Sequence, residues 1–406
     1  MTVAATMLAP LATTVIEPDA PVEDLEPLRG LIGDAKVVAI GESAHYVPEF
    51  HLARHRLLRF LVERMGFATY ALEAPFTAGR AIDRWIASGI GEISAIADAA
   101  MPIRLGRIPQ LPETLRWMRA SRRVRFVGTD VPGSGGSVLP VLEEVRDVLR
   151  SFDPDALPLV DRGIDLARSH DHAATFVVLA RYAGTPPAEQ DELSAILSRL
   201  LARLDTTSRQ LDQASGTARD IVLALRGAWY ADHLHRDVAG RGLPAAAASR
   251  DAFMAEVVLD RLRRAPRERI VVASHNVHIQ KVPAASSRAG QIPQGAYLAA
   301  ALGDDYRAIA LTAAGGTTAE IRPNVEARDG FEIVEIELER ATNDSLDVRL
   351  AGNAPLAIAD LRGERDSDVR RMRMEGYFLE LSVFDAFDGV AWVPRSGVSG
   401  AVFEPT

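Results

Sequence analysis

The stretch Val37-Val38-Ala39-Ile40-Gly41-Glu42-Ser43-Ala44-His45 begins with four consecutive apolar residues and ends on a carboxylate and an imidazole. A continuous apolar run, unlike an alternating one, is the pattern of a strand covered on both faces, as in a parallel sheet between layers of helices. Open α/β sheets bind ligands at the carboxyl ends of such strands. Glu42 and His45 therefore fall where a site is expected.

Three more runs repeat the arrangement. Thr69-Tyr70-Ala71-Leu72 stops at Glu73, the run 124–128 stops at Asp130 ahead of Pro132 and Gly133, and Ile270-Val271-Val272-Ala273 stops at Ser274-His275-Asn276-Val277-His278-Ile279. All four deliver acid or imidazole groups to one rim. Between the first two runs, Phe50, Leu57, Leu58, Leu61 and Met65 recur at helical spacing and Gly66 stops the helix. The result is a strand–helix–strand unit with a right-handed crossover. From about 138 to 265 the apolar period stays helical, as in Val138, Val141, Leu142, Val145 and Leu149, so this region is expected to be a helical cap inserted between core strands. The runs 306–312 and 331–336 read as further strands, with 356–358 and 389–393 as weaker ones. The expectation is one α/β enzyme domain over 1–406, a mostly parallel central sheet flanked by helices, with the helical insertion capping a deep cleft.

Hydrophobic residues make up 48% and charged residues 25% of the chain, the balance of a soluble globular protein. A net charge of −9 disfavours nucleic acid as a partner, because phosphate binding needs a basic footprint. The absence of cysteine excludes disulfides, thiolate nucleophiles and Cys-based zinc sites. No run approaches the roughly 20 apolar residues that span a bilayer, and the N-terminus lacks the basic start of a secretory signal. The expected setting is cytoplasmic, without a membrane, and the expected partner is a small molecule.

Taken in order, Gly41-Glu42-Ser43-Ala44-His45, the following helix with Arg56 and its Met65-Gly66-Phe67 ending, Glu73, Arg250-Asp251-Ala252-Phe253-Met254-Ala255, the motif 274–279 and Phe387-Asp388-Gly389-Val390 resemble the erythromycin esterase family over roughly residues 26–394. The resemblance implies an α/β core with a helical domain over a deep cleft, and hydrolysis of a macrocyclic lactone or another ester without metal or other cofactor. In it His45 matches the general base, Glu42 and Glu73 match cleft carboxylates, and His275 and His278 match a second imidazole pair. The chemistry agrees. Ester hydrolysis needs a base of near-neutral pKa to take a proton from the attacking water, and histidine has one without perturbation. Donors must also meet the developing oxyanion, each worth about 3 kcal/mol; a protonated His, Arg56 or backbone N–H groups are candidates. Tyr46, Asp130, Asn276, Arg250 and His233 complete the expected substrate-binding set. Family members often carry Gly where this chain has Tyr46, and Asn where it has Val257.

Other readings of the same residues stay open. A related His-base acyl transfer, elimination or cyclisation would use the same groups. Glu42, His45, Glu73, His275 and His278 also form a plausible ligand set for a divalent metal that would activate the water. A non-catalytic ligand or haem binder is the third reading, opposed by the stability cost of burying so many ionisable groups. His51 and His55, four apart on a helix, are expected on a solvated face. The pairs His170/His172 and His233/His235 are expected at the surface or in a groove, with His233, close behind Trp229 and Tyr230, able to line the cleft.

Overall fold

The computed structural model describes residues 7–215, 218–242, 247–287, 291–350, 352–366 and 368–403. Its strands are β1 (Ala12–Thr14), β2 (Val37–Ile40), β3 (Thr69–Pro75), β4 (Arg125–Asp130), β5 (Ile270–Ala273), β6 (Tyr306–Ala313), β7 (Thr317–Pro323), β8 (Phe331–Glu337), β9 (Leu356–Asp360), β10 (Arg371–Met374), β11 (Tyr377–Glu380) and β12 (Gly389–Val393). Eight of them form one sheet in the order β1-β9-β12-β6-β2-β5-β3-β4. From β12 to β4 every neighbouring pair is parallel, while β9 runs antiparallel to both β1 and β12. The α/β class and mostly parallel sheet are as expected.

The four apolar runs are buried for the reason their sequence suggests: β2 and β5 are covered at every position. The chain passes outward through β2, β3 and β4, returns to place β5 between β2 and β3, then continues on the other side of β2 with β6. At such a reversal, doubly wound sheets hold their ligands at the carboxyl ends of the central strands. The run 331–336 is a strand but lies outside the main sheet. It is part of β8, which pairs only with β7 in an antiparallel hairpin, and its outward residues are charged.

Between β4 and β5 the chain forms helices Leu139–Phe152, Leu157–Arg168, Thr175–Ala183, Pro187–Ser215, Ala218–Arg241 and Ala247–Arg264. They share an apolar core of their own that includes Val141, Leu142, Ile164, Leu197, Leu200 and Leu225. Inside it is a polar knot. Tyr182 Oη donates to Asp232 Oδ1 at 2.9 Å, and His235 Nε2–H donates to Gly135 O at 2.9 Å, tying the loop after β4 to the helices. His170 and His235 are thus interior residues, not surface ones, and His170 packs edge-on to Tyr182. Among the described residues no helix is long and apolar enough to cross a membrane.

The helix Pro48–Met65, closed by Gly66 in the left-handed region at φ 76°, is buried on nearly every side. Its apolar stripe meets the sheet, and its back is covered by the N-terminal segment and the helix Gln110–Ser121. Thr114 Oγ1 and His55 Nδ1 are 3.2 Å apart, and His55 is 4% exposed. The solvated face expected for His51 and His55 is absent. Burial lowers the pKa of both to about 4, so they are neutral.

Candidate active site

Three histidines stand at the carboxyl edge of β2, β3 and β5, and the partners of each determine its protonation state. Glu42 leads the loop after β2. The charge of Arg54 and the hydrogen bond from His45 overcome the effect of burial and lower its pKa to about 2, leaving an ionised group that only accepts. His45 Nδ1, 2.8 Å from Glu42 Oε1, must then carry the proton, which leaves the Nε2 lone pair free. Among the described residues Nε2 makes no hydrogen bond, and the side chain is 16% exposed. Burial works against the charged form, but the Glu42 bond and the charges of Glu42, Glu73 and Glu375 outweigh it and raise the His45 pKa.

His275 is the opposite case. Its Nε2–H donates to Ser43 O at 2.9 Å, and its Nδ1 accepts from Val277 N at 3.3 Å, capping the short helix Asn276–Ile279. Both nitrogens are spent on backbone. Burial, aided by the charge of His45, lowers its pKa to about 3, so it is neutral and inert as a base. His278 is different again. Nδ1 lies 2.8 Å from Asp251 Oδ1, and Nε2 lies 3.4 Å from Glu73 Oε1 and 3.5 Å from Arg250 Nη1, so two carboxylates favour the imidazolium. Burial disfavours this imidazolium, but Asp251 and Glu73 raise its pKa to about 10.

The remaining charges are paired in the same network. Arg250, from the last helix of the insertion, grips Asp130 with Nε at 2.9 Å from Oδ1 and Nη2 at 2.6 Å from Oδ2, and reaches Glu73 Oε1 at 2.7 Å. Glu73 Oε2 accepts from His275 N at 2.7 Å. Against burial, the charges of His278 and Arg250 hold the Glu73 pKa well below the usual carboxylate range. The carboxylates Glu42, Glu73, Asp130 and Asp251 thus face the fixed cations Arg54, Arg250 and His278. A proton on His45 completes neutrality, so the cluster favours the cation that a base becomes.

Of the residues read from the sequence, Glu42, His45, Glu73, Asp130, Arg250, His275 and His278 do come together. Arg56 does not. Its buried guanidinium is consumed by the N-terminal segment, donating to Thr14 Oγ1 at 2.9 Å, Pro21 O at 2.7 Å and Ala20 O, with Asp24 Oδ1 at 3.1 Å. The arginine that this helix brings to the site is Arg54. Its Nη1 is 2.9 Å from Glu42 Oε2 in an ion pair, and its other nitrogens donate to Gly41 O at 3.0 Å and Ser274 O at 2.6 Å. The signal was present, because Arg54 interrupts the stripe Phe50, Leu57, Leu58 and Leu61 at the i+4 and i+3 positions, whereas Arg56 lies about 200° around the helix from it.

Three other expectations change. Asn276, fully buried, uses its amide to bridge Leu311, donating to Leu311 O at 3.0 Å and accepting from Leu311 N at 3.2 Å. It holds β5 to β6 and is unavailable to a substrate. Gly41 leaves room for it, since a Cβ there would lie 1.8 Å from Asn276 Oδ1. Tyr46 is buried with its hydroxyl donating to Ile103 O at 2.6 Å, away from the cleft. His233 meets Trp229 edge-on at 4.3 Å within the helical insertion, apart from the cluster of histidines and carboxylates. Glu375 went unnoticed in the sequence. At the β10–β11 turn, its N–H donates to Ser43 O at 2.5 Å, and burial raises the pKa of its carboxyl.

The carboxylates that would hold a metal are already neutralised. Glu42 faces His45 and Arg54, and Glu73 faces Arg250, His278 and an N–H group. Among the described residues no group of three or more His, Asp and Glu side chains converges as a metal-binding set.

Comparison with known proteins bears on this arrangement. The model of the erythromycin esterase family matches residues 62–396. The type II erythromycin esterase of Escherichia coli is 30% identical over 404 residues, covering 95% of this chain and 96% of its own. The type I enzyme of Escherichia coli is 27% identical over 399 residues, covering 93% and 95% respectively. Among solved structures, a mutant of the erythromycin esterase EreC in its open conformation superposes with a TM-score of 0.86 at 26% identity, over 96% of this chain and 98% of the other.

Proposed function

This chain belongs to the erythromycin esterase family, and on that premise we propose that its cleft hydrolyses an ester or lactone, with His45 as the general base. The observation that carries the proposal is the Glu42–His45 pair, in which Nδ1 is held by an ionised carboxylate while Nε2 is free. Nε2 takes a proton from water as the water oxygen bonds to the carbonyl carbon. Glu42 stabilises the resulting imidazolium, and Arg54 keeps Glu42 ionised, so that it does not compete for the proton. The carbonyl oxygen gains negative charge as the tetrahedral intermediate forms. Arg250, with a side chain 21% exposed, is its donor, and the His278 imidazolium adds positive charge nearby. Collapse breaks the bond to the alkoxide, which recovers the proton from His45 to leave a carboxylic acid and an alcohol.

The reaction in this reading needs no metal. Support comes from the paired carboxylates and from His275, whose two nitrogens are both spent on backbone. The names of the relatives point to macrolactones as the first substrates to try. The test is mass spectrometry of macrolactones and simpler esters incubated with wild-type and His45→Ala protein, with and without chelator. A chelator-resistant gain of one water that falls by about two to four orders of magnitude in the variant is the expected result. Turnover that survives the substitution, or that chelator abolishes, overturns the proposal.

A further inference from the structure

Resting on the reading of His45 as the base, we propose that Tyr46 is a positioning residue that fixes the turn carrying the imidazole by tying it to the segment 101–107. Tyr46 sits at φ 66°, in the left-handed region, where any side chain is strained and glycine is not. A turn that needed only this backbone shape would be met by glycine. Tyrosine adds a ring that is fully buried and a hydroxyl that donates to Ile103 O at 2.6 Å. Its carbonyl is held as well, accepting from Ser399 N at 2.9 Å. The ring meets the His45 imidazole edge-on at 6.1 Å, and His275 meets the same imidazole edge-on at 5.3 Å.

The segment that receives the hydroxyl is itself under tension. Ile103 and Arg104 follow one another at φ 48° and 63°. Consecutive strained residues persist only where the surroundings hold them. On the far side the hold is Arg104, which donates to Asp329 Oδ2 from Nη2 at 2.9 Å and to Val402 O from Nη1 at 3.2 Å, with its guanidinium 5.0 Å over the Phe331 ring. On the near side it is Tyr46. A cavity of about 400 Å³ opens against this segment, with Pro75 at the end of β3, Ile103, Arg104, Asp329 and Phe331 in its wall. The wall of that cavity and the orientation of the base are therefore set by one clamped piece of chain.

The test pairs Tyr46→Phe, which removes only the hydroxyl, with Arg104→Ala, which releases the segment from the opposite side. Steady-state kinetics is combined with nitrogen-15 NMR of the His45 imidazole. Tyr46→Phe is expected to lower kcat about tenfold with KM changed by no more than about threefold, the pattern of a displaced catalytic group. The double variant should be no worse than the poorer single one, because both act through the same segment. The His45 Nδ1–H resonance, sharp while Glu42 holds it, should broaden in each single variant although the protein stays folded. A wild-type kcat in Tyr46→Phe, multiplicative losses in the double variant, or an unchanged resonance in the folded single variants would overturn the proposal. Should Tyr46→Phe fail to fold, the resonance in Arg104→Ala decides. Should no ester be turned over, the hydrolytic reading fails separately, and the resonance still decides whether Tyr46 positions the imidazole.

Discussion

Replacing Glu42 by Gln keeps an acceptor oxygen for His45 Nδ1–H and removes the charge, so it isolates the electrostatic part of the proposed mechanism. Glu42 Oε1 is 2.8 Å from Nδ1, which puts the charge centres roughly 4 Å apart, and at an effective dielectric constant near 20 a unit pair at that distance is worth about 4 kcal/mol. Part of this is recovered by the neutral hydrogen bond that remains. A loss of about 3 kcal/mol in stabilising the imidazolium is expected, or roughly two orders of magnitude in kcat. The pH profile carries the sharper signature. Glu42 raises the His45 pKa, and the base is the unprotonated form, so activity rises with pH through that pKa. Without the charge the pKa falls and the acidic limb moves to lower pH. Relative to wild type, the variant should thus lose less at acidic pH than at neutral pH. The substitution also strands buried Arg54, a defect of about 3–5 kcal/mol in stability. The double variant Glu42→Gln/Arg54→Met should regain stability without regaining rate. The assays are pH-dependent initial rates and denaturant unfolding. An acidic limb that stays in place or moves to higher pH, or a rate within about threefold of wild type, would refute the reasoning.

The two arginines of the helix Pro48–Met65 should separate cleanly. Arg54→Met is expected to lower kcat by at least about tenfold through loss of the Glu42 partner, while Arg56→Met should spare kcat and expose the N-terminal segment to proteolysis, and the reverse pattern would contradict the assignment. Acid should destabilise the fold from about pH 6.5 downward, because buried His55 and His235 titrate near pH 4 when folded and near 6.5 when unfolded, so the unfolded chain binds more protons in that window. Each contributes up to about 3 kcal/mol of lost stability by pH 4. His55→Gln and His235→Gln should flatten this slope in denaturant unfolding at stepped pH, and an unchanged slope would count against their burial. His278 acts in the opposite direction: the stability it contributes is complete below about pH 6.5 and fades as the pH climbs toward 10.

The local pattern of the chain was enough to place β2, β3, β5 and β6, and to show that Glu42, His45, Glu73, His275 and His278 stand at the ends of buried strands. These features are legible because a strand covered on both faces must be apolar throughout, and a carboxylate or imidazole that breaks such a run marks its end. The helical character of the region between β4 and β5 was legible for the same kind of reason, a sustained period. What the pattern left open was every property that depends on a distant neighbour. That Arg56 is buried and not solvated follows from the N-terminal segment, which covers the back of a helix that by periodicity alone has a free side. The burial of His55 depends on the helix Gln110–Ser121. Asn276 reads as a site residue until β6 is seen beside it, its backbone claiming the amide. The three clustered histidines are one residue type, yet the fold leaves one with a free nitrogen and a raised pKa, one at about 3 and one at about 10. Sequence determined which groups reach the rim, since that is a matter of strand register. Tertiary structure decided their charges, because a proton's free energy is set by the donors, acceptors and ions within a few ångströms, and here those come from segments more than two hundred residues away.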